Sequence, residues 1–129
     1  MKRAVLLALA ASLAFTANAF AADDPTIKGL LRANIKAAMA RHFAQSQVNG
    51  KYLMYDAVED KLLRLELDYL HDGVVTKGDY YVSCVDMRDA NGVVYDLDLL
   101  VVDTGEQFRV LQSVVHKIAG EKRPYHLED

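Results

Sequence analysis

Residues 80–118 read YYVSCVDMRDANGVVYDLDLLVVDTGEQFRVLQSVVHKI, and this run decides the fold. β-Branched and aromatic residues alternate with polar ones over three segments, Tyr80 to Asp89, Val93 to Asp103 and Gln107 to Ile118. Alternation of period two, bounded by Asn and Gly turn residues, is the pattern of half-buried antiparallel strands. Asn91-Gly92 suits a two-residue type I′ turn, because both residues tolerate the positive φ that such a turn demands. That loop sets Cys84 opposite Leu99, Val82 opposite Val101 and Asp86 opposite Leu97. A two-residue Thr104-Gly105 loop then sets Leu99 opposite Val110, Val101 opposite Phe108 and Tyr95 opposite Val114. Both registers gather apolar side chains on one face, as a sheet with one covered side requires.

Upstream, Asp60 to His71 alternates with Leu63, Leu65, Leu67, Tyr69 and His71 on one side and Leu62, Arg64, Glu66, Asp68 and Leu70 on the other. Lys51 to Ala57 is a shorter predicted strand. Asp72 to Asp79, with Gly73 and Gly78, reads as a longer hairpin loop that brings Tyr69 opposite Val82 and Leu67 opposite Cys84. Before the strands, Pro25 to Gln45 has helical periodicity in Ile27, Leu30, Leu31, Ile35, Ala38 and Met39. Asp24 is its expected N-cap, Pro25 its first residue and Asn49-Gly50 its stop. The expected fold class is α+β, one long N-terminal helix packed on a four- to five-stranded antiparallel sheet. The tail Glu121 to Asp129 is expected to be loosely held.

Met1-Lys2-Arg3 followed by the apolar run Ala4 to Phe15 has the form of a secretory signal peptide. Small residues permit cleavage before Phe20 or before Ala22, and the second is preferred, which divides the chain into a signal peptide, 1–21, and a single domain, 22–129. No Cys stands near either site to carry a lipid anchor, so no membrane anchor is expected after cleavage. The expected location is periplasmic or secreted. Of 15 basic residues, removal of Lys2 and Arg3 leaves 13 against 18 acidic ones, a net charge of −5. A mildly acidic chain without clustered Lys and Arg argues against binding nucleic acid or anionic lipid. Cys84 is the only cysteine. It can make no internal disulfide, and its mid-strand position reads as a small buried hydrophobe.

Helix followed by meander resembles the order of elements in cystatin-like folds. The segments Val114-Val115-His116-Lys117-Ile118-Ala119-Gly120, Arg123-Pro124-Tyr125 and Tyr95-Asp96-Leu97-Asp98 are similar to those of small exported bacterial proteins of unknown function. That resemblance implies a fold and brings no activity with it. The larger nuclear-transport-factor-like enzymes have further helices that this chain lacks.

Under the registers above, the helix-facing side carries few polar groups, with Asp86, Gln112 and His116 near Tyr95 at one end. Asp86, Tyr95, Gln112 and His116 are therefore the candidate ligand-binding residues, because an apolar surface with a few convergent polar groups is how a small-molecule pocket is lined. The opposite side carries Asp96 and Asp98 as solvated acids, with Val85, Leu100, Val102, Leu111 and Val115 forming an interaction face that one helix cannot cover. A homodimer or another exported protein is the expected partner of that face. Glu66 and Asp98 lie about two strand spacings, roughly 9 to 10 Å, apart, too far to share a small cation. No catalytic residue, no metal and no cofactor is expected. The sequence has no G-x-S-x-G, phosphate loop, H-E-x-x-H or paired Cys. A noncatalytic exported binding or protein-interaction domain is the leading expectation; the alternative is a small-ligand pocket, or weakly an enzyme, around Asp86, Tyr95 and His116.

Overall fold

The structure, a computed structural model, describes residues 22–124. The proposed signal segment, 1–21, and the last residues, 125–129, lie outside the described residues. One helix, α1 (Gly29–Gln45), precedes seven strands, β1 (Gln47–Val48), β2 (Lys51–Asp56), β3 (Lys61–Lys77), β4 (Tyr80–Arg88), β5 (Val94–Asp103), β6 (Phe108–Ile118) and β7 (Glu121–Lys122). The strands form one antiparallel meander in the order β1 to β7. The α+β class is as expected, with more strands than the four or five predicted.

The helix starts four residues later than its periodicity suggests. Asp24 caps a turn instead: its Oδ1 accepts from the backbone N–H and the hydroxyl of Thr26, while its carbonyl accepts from Ile27 N–H at 3.1 Å. The strand edge holds this segment, with Asp24 N–H donating to Val74 O at 2.8 Å and Val74 N–H to Asp23 Oδ1 at 3.1 Å. Arg32 reaches back from α1 to Asp23 and Asp24, fixing the entry to the helix.

Two Asn-Gly pairs behave differently, and the difference sets the register. Asn49 and Gly50 both have positive φ, 52° and 76°, and make the two-residue turn between Val48 and Lys51. This pair is a hairpin turn, and α1 has already ended at Gln45. At Asn91-Gly92 only the glycine has positive φ, 77°. The cause is Asp89, whose Oδ1 accepts from both Asn91 N–H and Val93 N–H at 2.9 Å. Such an Asx turn draws a third residue into the loop, and Asp89 N–H closes it on Val93 O. The result sets Cys84 opposite Asp98 and Val82 opposite Leu100. The expected register was one residue out, so β4 presents Val85 and Met87 to the helix and turns Val82, Cys84 and Asp86 away.

The second hairpin uses four residues, Thr104 to Gln107, and pairs Val101 with Val110. Its parity matches expectation near the turn. Two bulges then reverse it twice: Leu111 is extra between Val110 and Gln112, and His116 is extra between Val115 and Lys117. Ser113 and Val115 consequently pair with the core residues Leu99 and Leu97, while Val114 pairs with Asp98. The expected loop 72–79 is mostly strand, because β3 runs on to a two-residue Gly78-Asp79 turn. Tyr69 faces Asp86 and Leu67 faces Met87, and His71, Asp72 and Gly73 bulge out between Leu70 and Val74.

The core holds Ile35, Ala38, Met39 and Phe43 of α1 against Tyr52, Leu63, Leu65, Val74, Val85, Met87, Tyr95, Leu97, Leu99 and Val101 of the sheet. Although three strands separate β2 from β6 in the sheet order, Tyr52 OH and Ser113 Oγ are 2.6 Å apart. The sheet has therefore rolled until its two ends meet across the helix. His42 Nε2 lies 3.0 Å from the same Tyr52 oxygen, linking α1 to that closure. The expected loose tail is ordered at its start: β7 pairs with Lys117 and Ile118, and Arg123 is buried, forking onto Asp56 of β2 with both contacts at 2.6 Å.

Candidate functional site

The four residues expected to line a ligand pocket do not converge. Tyr95 is buried in the core at 4% exposure, on the helix side. Asp86 points to the opposite face, Gln112 is exposed opposite Leu100, and the bulge at His116 turns that side chain to the face of Asp98. Surface grooves border α1 at Arg41 and Phe108 and the β2–β6 opening at Val58 and Ser113, and Asp86, Tyr95 and His116 line none of these. The expected interaction face also divides. Val85 and Val115 are core residues, at 0% and 2% exposure, whereas Leu100 and Val102 are half-buried on the far face and Leu111 protrudes from its bulge at 59%.

The face turned from the helix instead assembles ionisable groups from four strands. Cross-strand pairing places Cys84 beside Asp98 and Asp86 beside Asp96. Cys84 donates from Sγ to Asp98 Oδ1 at 3.1 Å, and His116 Nδ1 lies 3.2 Å from the same oxygen. Next to them His71 Nε2 meets Asp86 Oδ1 at 2.9 Å, and Lys117 Nζ approaches Asp96 Oδ2 at 3.7 Å. Both histidines arrive on bulges, His116 on the one in β6 and His71 on the one in β3. A bulge re-aims a side chain that strict alternation would send elsewhere.

Donor atoms of Cys84, Asp96, Asp98 and His116 all lie within 4.8 Å of one another, as do those of His71, Asp86 and Asp96. Asp96 belongs to both groups. Its electrostatics set it apart: burial pushes its pKa above the ordinary 3.8, and neighbouring His116, Lys117 and His71 only partly offset this. Its Oδ1 is buried and accepts no hydrogen bond among the described residues. It also stands directly across from Asp86, and like charges in that relation repel.

Both the thiol and the imidazole contact the carboxylate of Asp98, and Cys84 and His116 are 2% and 3% exposed. At this exposure the thiol is shielded from solvent, which disfavours its ionised form unless a positive charge approaches. Donors of this kind can hold a divalent cation or buffer protons. The expected register does not bring Cys84, Asp96, Asp98 and His71 together, since it puts Cys84 and His71 on the helix side and Asp96 and Asp98 on the opposite one. The signal that could have found them is Asp89, two residues before Asn91, which lengthens the loop and puts Cys84 and Asp98 on one face.

No protein-family model, no curated protein and no solved structure matches this chain. Among the described residues no helix is long and apolar enough to cross a membrane.

Proposed function

We propose that the chain is a noncatalytic exported binding domain of the periplasm, with its contacts on the sheet face turned from the helix and a second copy of itself as the simplest partner. One observation carries this reading: the space between helix and sheet is filled by apolar side chains, with Leu97, Leu99 and Val101 at 0% exposure and Tyr95 at 4%. A closed interior leaves surface as the place where binding can occur. Asp86 and His116 lie across the sheet from Tyr95, so the rival reading of a pocket under the helix loses its polar lining. The signal-like start, 1–21, supports export, and one helix enclosed by an antiparallel meander supports a cystatin-like arrangement.

On the outward face Leu100, Val102 and Leu111 supply apolar contact, with Arg109 exposed opposite Val102, while Arg64 and Glu66 are exposed at the other end of the sheet, where Glu66 pairs with Arg88. Two like faces related by a two-fold axis would set these opposite charges against each other at the rim of an apolar centre. Sedimentation of the wild type and of Leu100→Lys/Leu111→Lys tests the idea. A wild-type dimer at tens of micromolar (roughly the range in which weak dimers form) and a folded monomeric variant are expected. A monomeric wild type would remove the homodimer.

A further inference from the structure

A cation of the right chemistry would relieve the strain concentrated at Asp96. Three aspartates, Asp86, Asp96 and Asp98, sit on adjacent positions of two neighbouring strands. Two of them have a close basic neighbour: His71 stands 2.9 Å from Asp86 and His116 stands 3.2 Å from Asp98. Asp96 is served least well. Its side chain is 13% exposed, its nearest cation is 3.7 Å away on Oδ2, and its buried Oδ1 has no hydrogen bond from any described residue. A buried carboxylate oxygen in this condition is costly unless something positive approaches it.

One carboxylate oxygen of Asp96 belongs to a cluster of donors whose spacing is close to that of a coordination sphere. Tetrahedral zinc with bonds of 2.0 to 2.3 Å places its ligands roughly 3.3 to 3.8 Å from one another. Here Cys84 Sγ and His116 Nδ1 lie 3.1 and 3.2 Å from Asp98 Oδ1, and the four donors, Asp96 included, fit within 4.8 Å. Small side-chain adjustments, outward from Asp98 Oδ1 and inward for the most widely separated donors, would bring this cluster to the zinc distances.

We propose that Cys84, Asp96, Asp98 and His116 form a binding site for one divalent transition-metal ion of the zinc class. This site shares the outward sheet face with the proposed contacts, but neither reading depends on the other. The donor set selects the class: a thiolate and an imidazole favour zinc and its neighbours, whereas magnesium and calcium take oxygen ligands. Binding replaces the Cys84 thiol proton, which leaves to solvent, because a thiol bound to such an ion is deprotonated. His116 then carries its proton on Nε2 and coordinates through Nδ1. Asp96 and Asp98 complete the sphere, and the two protein-borne negative charges beyond the thiolate are balanced in part by the ion.

Cobalt(II) reads the site directly, since it takes zinc's geometry and shows a near-ultraviolet thiolate charge-transfer band. The chain has one cysteine, so in a one-to-one complex that band reports Cys84. The purified chain, stripped with chelator, is titrated with cobalt(II) and then with zinc(II). Expected are one equivalent bound, the thiolate band, visible bands of tetrahedral intensity, and loss of all of them when zinc displaces cobalt. Cys84→Ser abolishes the band. Asp96→Asn, which removes one of the four direct donors, weakens zinc binding by at least the roughly tenfold that loss of an outer-sphere partner causes, and Glu66→Gln leaves it unchanged. The proposal is overturned by a wild-type chain that binds no cobalt, and equally by one that binds it without a thiolate band, which would place the ion elsewhere. Because the wild-type spectrum decides this alone, a variant that fails to fold does not rescue the idea.

Discussion

Two acids of this chain, Asp56 buried and Asp96 partly buried, are treated in opposite ways. At Asp56 both carboxylate oxygens take a guanidinium nitrogen of Arg123 at 2.6 Å, and Oδ1 also accepts from Val58 N–H. The hydrogen bonds from Arg123 hold its pKa below the ordinary carboxylate value. At Asp96 burial is the larger influence and its pKa is pushed the other way. The first acid joins two distant parts of the chain, β2 and the residue after β7, and has all it needs for that task. Among the described residues Asp96 makes no contact of comparable strength, and its surroundings are those of a group that could take a ligand. A fully partnered buried charge is most simply structural, whereas an undercompensated one in a cluster of donors is a place to look for function.

Breaking the first pair has the largest expected effect. Arg123→Ala strands a buried carboxylate and should lower stability by about 3 to 5 kcal/mol, read by urea unfolding, whereas Asp56→Leu with Arg123→Met should recover most of the loss. If the single and double replacements were equal, the pair would not act as a unit. Leu99, the neighbour of Asp98 on the opposite face, separates packing from charge. Leu99→Ala should cost about 2 to 5 kcal/mol through the cavity it leaves. Asp98→Ala should cost about 1 to 3 kcal/mol, because Cys84 and His116 lose the oxygen they share. An exposed, solvated Asp98 would instead show a loss of about 0.5 kcal/mol or less. The smallest effect has the opposite sign: with chelator present, Asp96→Asn should raise stability by about 0.2 to 1 kcal/mol, as the repulsion across from Asp86 disappears.

How much of this was legible follows from the same residues. Period-two alternation identified the β5 face correctly, and Tyr95, Leu97, Leu99 and Val101 are core as expected. The helix and the meander were also readable, since long periodic segments depend little on tertiary context. Register was lost at one side chain. Asn-Gly makes a two-residue turn at Asn49-Gly50, yet at Asn91-Gly92 the carboxylate of Asp89 captures two backbone N–H groups and adds a residue to the loop. One residue inverts a strand, so Val85 moved into the core and Cys84 and Asp86 out of it. The bulges at Leu111, His116 and His71 to Gly73 carry no comparably specific signal, since they answer to the curvature of a sheet rolled around a helix. Arg123 was unreadable for a related reason: its partner Asp56 is distant in sequence and comes near only when the sheet closes.

The contrast also fixes how the two acids respond to pH. Asp56 has a depressed folded pKa, so its contribution is present above the ordinary 3.8 and is lost as pH falls through the folded value. Asp96 has a raised one, so its contribution is greatest below the ordinary 3.8 and is lost as pH rises through the folded value. The most direct measurement of the central claim, that Asp96 is an undercompensated, partly buried charge, is therefore the unfolding free energy of the wild type and Asp96→Asn in chelator, followed from about pH 4 to about pH 8. The account predicts a variant that is the more stable of the two at neutral pH, with the gap closing as pH falls toward 3.8. A variant equal to or less stable than the wild type at neutral pH would contradict it.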